Sequence, residues 1–222
     1  MIPLRDSQPS YSPPVMTILI IATNALAFLY ELSLDPFSLN HFLAVYGVVP
    51  ARLDLAALFT SMFLHGGWLH FLGNMWFLWI YGDNVEDILG RAKYLAFYLT
   101  CGIAAALAQV AANPDSRVPM IGASGAIAGV MGAYLIKFPH SRILTLVPVF
   151  FFLTTLEVPA VLILGYWFVI QFFSGVGSIG YSHLSQGGVA WFAHVGGFLA
   201  GMLLVNLMRP RQPRRRRRDL YW

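Results

Sequence analysis

The sequence predicts an all-α membrane protein built as a bundle of six transmembrane helices. Of its 222 residues, 58% are hydrophobic and only 11% are charged, whereas about 25% of the residues of a soluble domain carry charge. This number of charges is too small to cover a water-soluble surface of normal size. We therefore expect the chain to lie in a bilayer. Its apolar residues also fall into stretches that approach the ~20 residues needed to cross the hydrocarbon core.

Six stretches are predicted to cross the bilayer as helices. They cover residues 15–31, 68–82, 94–114, 118–136, 159–175 and 189–208. No convincing A-x-A cleavage site follows the first stretch and further spans do, so it is interpreted as a retained span rather than a signal peptide. Residues 158–208 contain no Asp, Glu, Lys or Arg and are too long for one span. The Gly- and Ser-rich stretch 174–188 therefore divides them into the last two spans.

The basic residues predict that both termini are cytoplasmic. With six spans and cytoplasmic ends, all of the 14 Lys and Arg residues except Arg52 and Arg117 lie inside, as the positive-inside rule requires. The apolar stretch 143–156 is short and contains Pro148, so it is assigned to the membrane interface. If it crossed as well, the arginine-rich C-terminal end would move outside.

The chain is thereby divided into three regions. Residues 1–14 form a cytoplasmic segment, residues 15–208 form the membrane domain, and residues 209–222 form a basic cytoplasmic tail that is expected to be disordered. The pattern predicts a multi-pass protein of a bacterial inner (plasma) membrane. Half of the basic residues lie in the tail, where such a run is typical of a topology and lipid-headgroup signal. Membrane lipids are therefore expected partners, and nucleic acid is not. With the single cysteine Cys101, no internal disulfide is possible.

Polar side chains are concentrated in the outer halves of the second, fourth and sixth spans. They are His65, His70, Asn74, Ser124 and His194. Polar groups inside a bilayer are costly and are functional candidates by default. All three spans run from outside to inside, and each of these residues lies near the start of its span. With a rise of ~1.5 Å per residue, the residues lie at a similar depth, which predicts one polar site near the outer boundary.

Ser124 and His194 are the candidate nucleophile and base of this site. Ser124 lies in the sequence Gly-Ala-Ser-Gly at a helix start, where free N–H groups favour a developing oxyanion. Serine needs a base to take its proton, and histidine, with an unperturbed pKa near ~6.5, suits that role. No Asp or Glu lies in the outer halves of these three spans, so we predict a Ser-His dyad rather than a triad.

Each motif, taken alone, is also consistent with a structural role. Gly-Ala-Ser-Gly alone is more typical of close helix packing, and an isolated intramembrane histidine is as often a hydrogen-bonded structural residue. Small residues four apart form a face on each of the two spans, which predicts that these faces meet and bring the serine and the histidine together. They are Gly125, Gly129 and Ala133 on the fourth span, and Ala193, Gly197 and Gly201 on the sixth.

Two other chemistries use the same polar residues. His65, His70 and His194 could form a metal site, but they lack the H-E-x-x-H pairing and a nearby carboxylate. The set could also line a channel or a proton path. His70 and Asn74 are four residues apart on one helix face, and both can donate a hydrogen bond to an oxyanion.

Together these motifs resemble the rhomboid intramembrane proteases over residues 15–208. The resemblance rests on His65-x4-His70-x3-Asn74, on Gly122-Ala123-Ser124-Gly125, on Ala193-His194-x2-Gly197, and on Val85-Glu86 with Gly90. It implies a six-helix rhomboid-like bundle with an outward-opening active-site cavity. It also implies an endopeptidase that cleaves single-span membrane proteins near the outer membrane boundary, without a metal or an organic cofactor.

The resemblance also implies a role for each matched residue. Ser124 would attack the peptide bond while His194 acts as base and then as acid. His70, Asn74 and the Ser124 N–H would stabilise the oxyanion, with support from His65 and Gly122. Glu86 would anchor the cytoplasmic end, residues 31–66 would form the interfacial loop, and the fifth span would be the mobile neighbour past which substrates enter.

Two positions depart from well-known members of this family. Where those members carry a Trp-Arg pair in the interfacial loop, this sequence has Ala56-Ala57, so the loop is expected to be held differently. Where some members carry a tyrosine under the histidine ring, this sequence has Ala128. The orientation of His194 therefore needs another support. A non-catalytic relative would usually lack the serine or the histidine, and both are present.

Overall fold

The computed structural model describes residues 2–149, 152–178 and 189–208, and most of them are helical. The helices are α1 (Val15–Ser33), α2 (Pro36–Tyr46), α3 (Ala57–Thr60), α4 (Trp68–Leu89), α5 (Arg91–Ala112), α6 (Ser124–Lys137), α7 (Ala160–Ser178) and α8 (Trp191–Leu207). Helices α1, α5 and α7 are long and apolar enough to cross a membrane, and α6 and α8 are shorter apolar helices. Each of the six predicted spans coincides with a helix, so the predicted helical membrane bundle is confirmed. That all six cross the bilayer stays a prediction.

Glycines with positive φ lie at both ends of α4 and just before α6. Helix α4 begins after Gly67, whose φ is 141°, and ends at Gly90, whose φ is 76°. Helix α5 starts at the next residue, so Gly90 is the whole connection between two antiparallel helices. Residues with a Cβ rarely adopt positive φ. Gly122, with a φ of 126°, likewise turns the chain just ahead of α6.

Helix α6 is the central helix, and its residues 125–134 are all buried. It packs against α8 with no side chain between the two backbones. A methyl group on Gly197 would collide with the carbonyl of Gly125, and one on Gly201 would collide with the carbonyl of Gly129. The predicted contact between the two small-residue faces is therefore confirmed.

A three-stranded antiparallel sheet was not predicted. The strands β2 (Arg142–Val149) and β3 (Phe152–Pro159) pair as a hairpin over the stretch assigned to the interface, and β1 (Ile2–Asp6) pairs with β2. The hairpin is rich in β-branched residues, which favour strands. The N-terminal segment therefore supplies a strand to the fold. The tail 209–222 and residues 179–188 lie outside the described residues.

Strand β1 runs outward along α4. Near the inner end of the bundle, the hydroxyl group of Tyr134 donates a hydrogen bond to Asp6. Further out, the indole Nε1 of Trp76 donates a hydrogen bond of 2.6 Å to the carbonyl oxygen of Pro3. Beyond Pro3, a cavity of about 310 Å³ separates α4 from α7.

The connection between α1 and α4 is fixed by backbone contacts. Val48 and Met120 form an isolated antiparallel bridge with N···O distances of 2.8 and 2.9 Å. The hydroxyl group of Thr60 donates to the carbonyl oxygen of Tyr46 at 2.7 Å. Ala57 is buried in a small apolar cluster that includes Ala106 of α5. A small residue thus lets α3 pack on the bundle at the place where well-known family members carry a large pair.

Candidate active site

Ser124 and His194 are in direct contact. The Oγ atom of Ser124 lies 2.8 Å from Nε2 of His194, although the two residues are 70 positions apart. Ser124 is the first residue of α6 and His194 lies in the first turn of α8. The close packing of these two helices brings the side chains together at the same end of the bundle. The geometry allows the imidazole to accept the proton of the serine hydroxyl group.

A glutamine on α7 occupies the other ring nitrogen of His194. The side-chain Oε1 of Gln171 lies 2.6 Å from Nδ1 of His194. An amide oxygen only accepts hydrogen bonds, so the ring proton lies on Nδ1. Nε2 is then the atom with a free lone pair, and it faces the Ser124 hydroxyl group. The contact selects the tautomer that a general base needs.

Sequence reasoning missed Gln171 because it considered only carboxylates as a third group. The signal was present, since Gln171 is the only amide side chain in the predicted span 159–175. Buried amides are rarely left without a partner, and Gln171 is buried. Its rotation towards His194 could not be read from the sequence, because the apolar residues surround it on all sides.

Two tryptophans contact the ring of His194. The Trp167 ring of α7 lies 5.7 Å from the imidazole, centroid to centroid, and is tilted by 38°. The Trp191 ring lies 6.4 Å away and is almost perpendicular to the imidazole. Ala128, which stands where other members carry a tyrosine, is fully buried in α6. The aromatic contact to the base thus comes from α7 and α8 rather than from α6.

His70 lies beside the glycine that precedes the serine. A Cβ atom on Gly122 would come within 2.7 Å of the His70 ring and within 3.6 Å of the Ser124 Oγ atom. The backbone N–H of Gly66 donates to Nδ1 of His70 at 3.2 Å. Since Nδ1 accepts, Nε2 carries the proton, and this atom is one of the two that face Gly122. His70 therefore presents an N–H donor next to Ser124, and Gly122 leaves room for it.

Asn74 lies one turn further along α4 and is buried. Its side-chain Nδ2 has no hydrogen-bond partner among the described residues. A buried amide donor without a partner costs free energy, and it is available to a group that enters the site. The first N–H groups of α6, beginning with Ser124, likewise lack helical acceptors.

His65 lies behind His70 and makes its polar contact through the backbone. Its N–H donates to the two carboxylate oxygens of Glu31 at 3.2 and 3.1 Å. Its ring packs edge-on against the rings of His70 and Phe71, with centroids 5.2 and 5.3 Å away. The ring supports His70 by packing.

Glu86 does not join this site. It is buried near the inner end of α4, where its carboxylate accepts hydrogen bonds from the backbone N–H groups of Met16 and Thr17 at 2.9 and 2.8 Å. It also accepts from the Thr17 hydroxyl group at 2.8 Å. A carboxylate placed against the first turn of a helix accepts from its free N–H groups and is stabilised by the helix dipole. These are the contacts that an anchor between α4 and α1 would make.

The rival metal site is not assembled from the predicted histidines. Both ring nitrogens of His194 face other side chains, Ser124 and Gln171, so it presents no free ligand atom to His65 or His70. Within the ranges that the structure describes, His, Cys, Asp and Glu side chains form no group of three suited to a metal ion.

A narrow cleft adjoins Ser124 along α5 and α8. Small residues line much of it, and they include Gly102, Ala105, Ala190 and Ala193. The cleft reaches the serine residue, and its free volume is small, about 20 Å³.

Comparison with known proteins places the chain in one family. The family model described as Rhomboid domain matches residues 52–211. The chain is 34% identical over 139 residues to the mouse presenilin-associated rhomboid-like protein, mitochondrial, a match that covers 60% of this chain and 36% of the relative. It is 30% identical over 148 residues to rhomboid protein 1, mitochondrial, of Saccharomyces cerevisiae, covering 64% and 39% of the two chains.

A bacterial relative matches over a longer stretch. The rhomboid protease GluP of Bacillus subtilis is 31% identical over 172 residues, which cover 75% of this chain and 32% of that protein. The chain thus spans about a third of the length of the curated relatives it matches.

Proposed function

The chain belongs to the rhomboid family of multi-pass membrane proteins, a family that includes intramembrane serine proteases, and we propose that it is itself an active endopeptidase. Its nucleophile is Ser124 and its general base is His194. The observation that carries the proposal is the 2.8 Å contact between the Ser124 Oγ and the His194 Nε2. A pore or a purely structural site has no reason to pair a helix-terminal serine with a correctly protonated imidazole.

The contact supports acyl transfer through a covalent intermediate. His194 takes the proton of the Ser124 hydroxyl group through Nε2 as Oγ attacks the carbonyl carbon of the scissile bond. The imidazolium then gives this proton to the leaving amine, and the peptide bond breaks. In the second half, His194 takes a proton from water as the water oxygen attacks the acyl carbon. The ester bond then breaks, and the imidazolium gives this proton to the Ser124 Oγ.

Three donors are suited to the oxyanion of the tetrahedral intermediate. They are the Ser124 N–H, the Nε2–H of His70 and the Nδ2–H of Asn74. Asn74 Nδ2 has no other partner among the described residues, so an incoming oxyanion would relieve an existing cost. Donors fixed in advance at the point where charge develops are worth about 3 kcal/mol each in comparable sites.

The proposed substrates are single-span membrane proteins cut near the outer boundary. A peptide bond within a helix is closed to attack, so the substrate must unwind, which Gly and Pro near the cut make easier. The small residues that line the cleft beside Ser124 favour a small residue before the cut. The basic residues support cytoplasmic termini in a bacterial inner membrane.

The proposal is tested by labelling and cleavage with the purified full-length chain in detergent micelles and in liposomes. We expect a fluorophosphonate probe to label the wild type, and a single-span substrate with a Gly-containing segment to be cut. Both signals should fall at least about 100-fold in Ser124→Ala and His194→Ala. A chelator should leave both unchanged.

Matched controls separate loss of chemistry from loss of fold. Ser33 and His41 are exposed, so Ser33→Ala and His41→Ala should behave as the wild type does. Cleavage that persists in Ser124→Ala would overturn the assignment of the nucleophile. A folded wild type that neither binds the probe nor cuts any single-span substrate would identify a non-catalytic relative, and solute flux through liposomes that persists in Ser124→Ala would favour a channel.

A further inference from the structure

Helix α7 presents two side chains to the proposed base. Trp167 and Gln171 lie four residues apart and therefore on one face of the helix. Trp167 lies 5.7 Å from the His194 ring between centroids, and the Gln171 Oε1 lies 2.6 Å from His194 Nδ1. Neither residue belongs to the motifs through which the sequence resembles rhomboid proteases. Together they cover one ring atom and one ring face of the base.

The hydrogen bond to Gln171 determines which nitrogen of His194 carries the proton. Free imidazole side chains can carry it on either nitrogen. With the proton on Nε2, the ring could not accept the Ser124 hydroxyl proton and the dyad would be inactive. An acceptor at Nδ1 excludes that tautomer, which is the role of the carboxylate in a catalytic triad.

The burial of Gln171 indicates that this contact is not incidental. The residue is only 7% exposed, in a helix whose other face meets lipid. A buried amide costs free energy unless it is hydrogen-bonded, and within the described residues His194 is its only side-chain partner. The two buried polar groups satisfy each other.

From these contacts we infer that Gln171 is a positioning residue that holds His194 in its basic tautomer, with Trp167 supplying the ring contact that Ala128 does not. The inference rests on the proposed function, since it names the third side chain of the same site. Gln171 is neutral, so it orients the imidazole without the charge stabilisation that a carboxylate adds. The site is thus a Ser-His-Gln arrangement.

The position of these residues on α7 makes the base depend on the docking of that helix. Helix α7 packs on α8 through Phe168, which stacks on Phe198 at 4.9 Å. On its other side, towards α4, lies the cavity of about 310 Å³ that Phe77 and Ile163 line. A movement of α7 into this cavity would withdraw Gln171 and Trp167 from His194. The base is therefore complete only while α7 rests against α8.

The kinetic test uses two substitutions of Gln171 that differ in one property. Gln171→Leu keeps the approximate volume and removes the acceptor, so kcat should fall about 10- to 100-fold while KM for the single-span substrate stays within about twofold. Gln171→Glu restores an acceptor, so most of kcat should return. A carboxylate also stabilises the imidazolium, so the acid limb of the pH–rate profile should move to higher pH.

Substitutions on the same helix complete the kinetic set. Trp167→Phe should retain most of the activity and Trp167→Ala should lose about five- to tenfold, since only an aromatic ring fills the space beside the imidazole. Phe173→Leu is the control, because Phe173 is 67% exposed on α7 and should leave kcat and KM unchanged. A Gln171→Leu enzyme within twofold of the wild type would overturn the inference. So would an equal loss in Gln171→Leu and Gln171→Glu with the wild-type pH profile, because that result indicates packing alone.

A spectroscopic measurement tests the inference without relying on cleavage. In protein labelled with ¹⁵N-histidine, the ring nitrogens of His194, assigned by comparison with His194→Asn, should report a proton on Nδ1 in the wild type. Gln171→Leu should shift the population towards Nε2–H. A wild-type ring protonated on Nε2 overturns the role of Gln171 whether or not the chain is a protease. A wild type with the Nδ1 proton but without cleavage would instead overturn the proposed function alone.

Discussion

Two pairs of helices at the active site differ in how closely they pack: α6 packs tightly on α8, whereas a cavity separates α4 from α7. Between α6 and α8 the backbones touch, and a single methyl group on Gly197 would have no space. Between α4 and α7 lies a mostly apolar cavity of about 310 Å³. The nucleophile and the base therefore lie on two helices in close backbone contact. Gln171, which orients the base, lies instead on a helix that has space to move. The groups that make and break bonds are thus held rigidly, and the residue that orients His194 is not.

The largest effect is expected where the rigid contact is broken. In Gly197→Ala the new methyl group meets the carbonyl of Gly125 and cannot rotate away, so α6 and α8 must separate. Overpacking of this kind costs about 1 to 3 kcal/mol, and we expect the upper end here because both contacting groups are backbone. Fluorophosphonate labelling should fall below about 1% of wild type, because the separation also lengthens the Ser124–His194 contact.

Gly165→Ala is the matched control for this substitution. Gly165 lies on α7, and a Cβ atom there would meet nothing within 4 Å. Replacing a helical glycine by alanine in open space raises stability by about 0.5 to 1 kcal/mol. Equal melting temperatures and equal labelling for the two variants would contradict the rigid contact between α6 and α8.

A second, smaller loss is expected at the inner end of α4. Glu86→Ala removes the acceptor for three donors on Met16 and Thr17, at a cost of about 2 to 3 kcal/mol. Because Glu86 lies 12 residues, about three helical turns, beyond Asn74 on α4, the melting temperature should fall while kcat in the folded fraction stays near that of the wild type. Glu157→Ala is the control, since the Glu157 side chain is 60% exposed. A fall in kcat with an unchanged melting temperature would show that Glu86 acts on the chemistry instead.

The tight contact between α6 and α8 could be predicted from the sequence. Small residues spaced by four on two spans predicted the α6–α8 contact, because helix periodicity converts a local spacing into a continuous face. The roles of Gln171 and Trp167 could not be predicted in this way, since an almost wholly apolar helix gives no periodic signal of its rotation. The pairing of β1 with β2 was equally hidden, because it joins strands more than 130 residues apart. Glu31 was assigned only to the loop, although its carboxylate holds the backbone of His65.

Filling the cavity should separate access of a protein substrate from the chemistry. Ile163 is buried on α7 and lines the cavity, so Ile163→Phe places the added ring atoms between α7 and α4. If α7 moves into this space to admit a single-span substrate, cleavage should slow about three- to tenfold, which is about 0.6 to 1.4 kcal/mol. Labelling by the small fluorophosphonate probe should stay within about twofold. Leu162→Phe, at a position that is 61% exposed, should change neither rate, and an equal fall in both rates for Ile163→Phe would contradict the movement.

The smallest effect concerns the strand β1. It lies beside the cavity, and Asp6 connects it to α6 by accepting a hydrogen bond from Tyr134. Burial raises the pKa of Asp6 above its usual value, although its hydrogen bond from Tyr134 and two backbone hydrogen bonds lower it. A group with a raised folded-state pKa contributes stability below its unfolded pKa, near ~3.9, and loses that contribution as the pH rises through the folded-state pKa. The wild type should therefore lose some stability as the pH rises above about 4. Asp6→Asn cannot ionise and keeps an oxygen that accepts the Tyr134 hydrogen bond, so its melting temperature should change less over the same range. If the melting temperatures of the two proteins change equally with pH, Asp6 ionises freely. In that case β1 is held mainly to α4, by the hydrogen bond from Trp76 to Pro3, and less to α6 by Asp6.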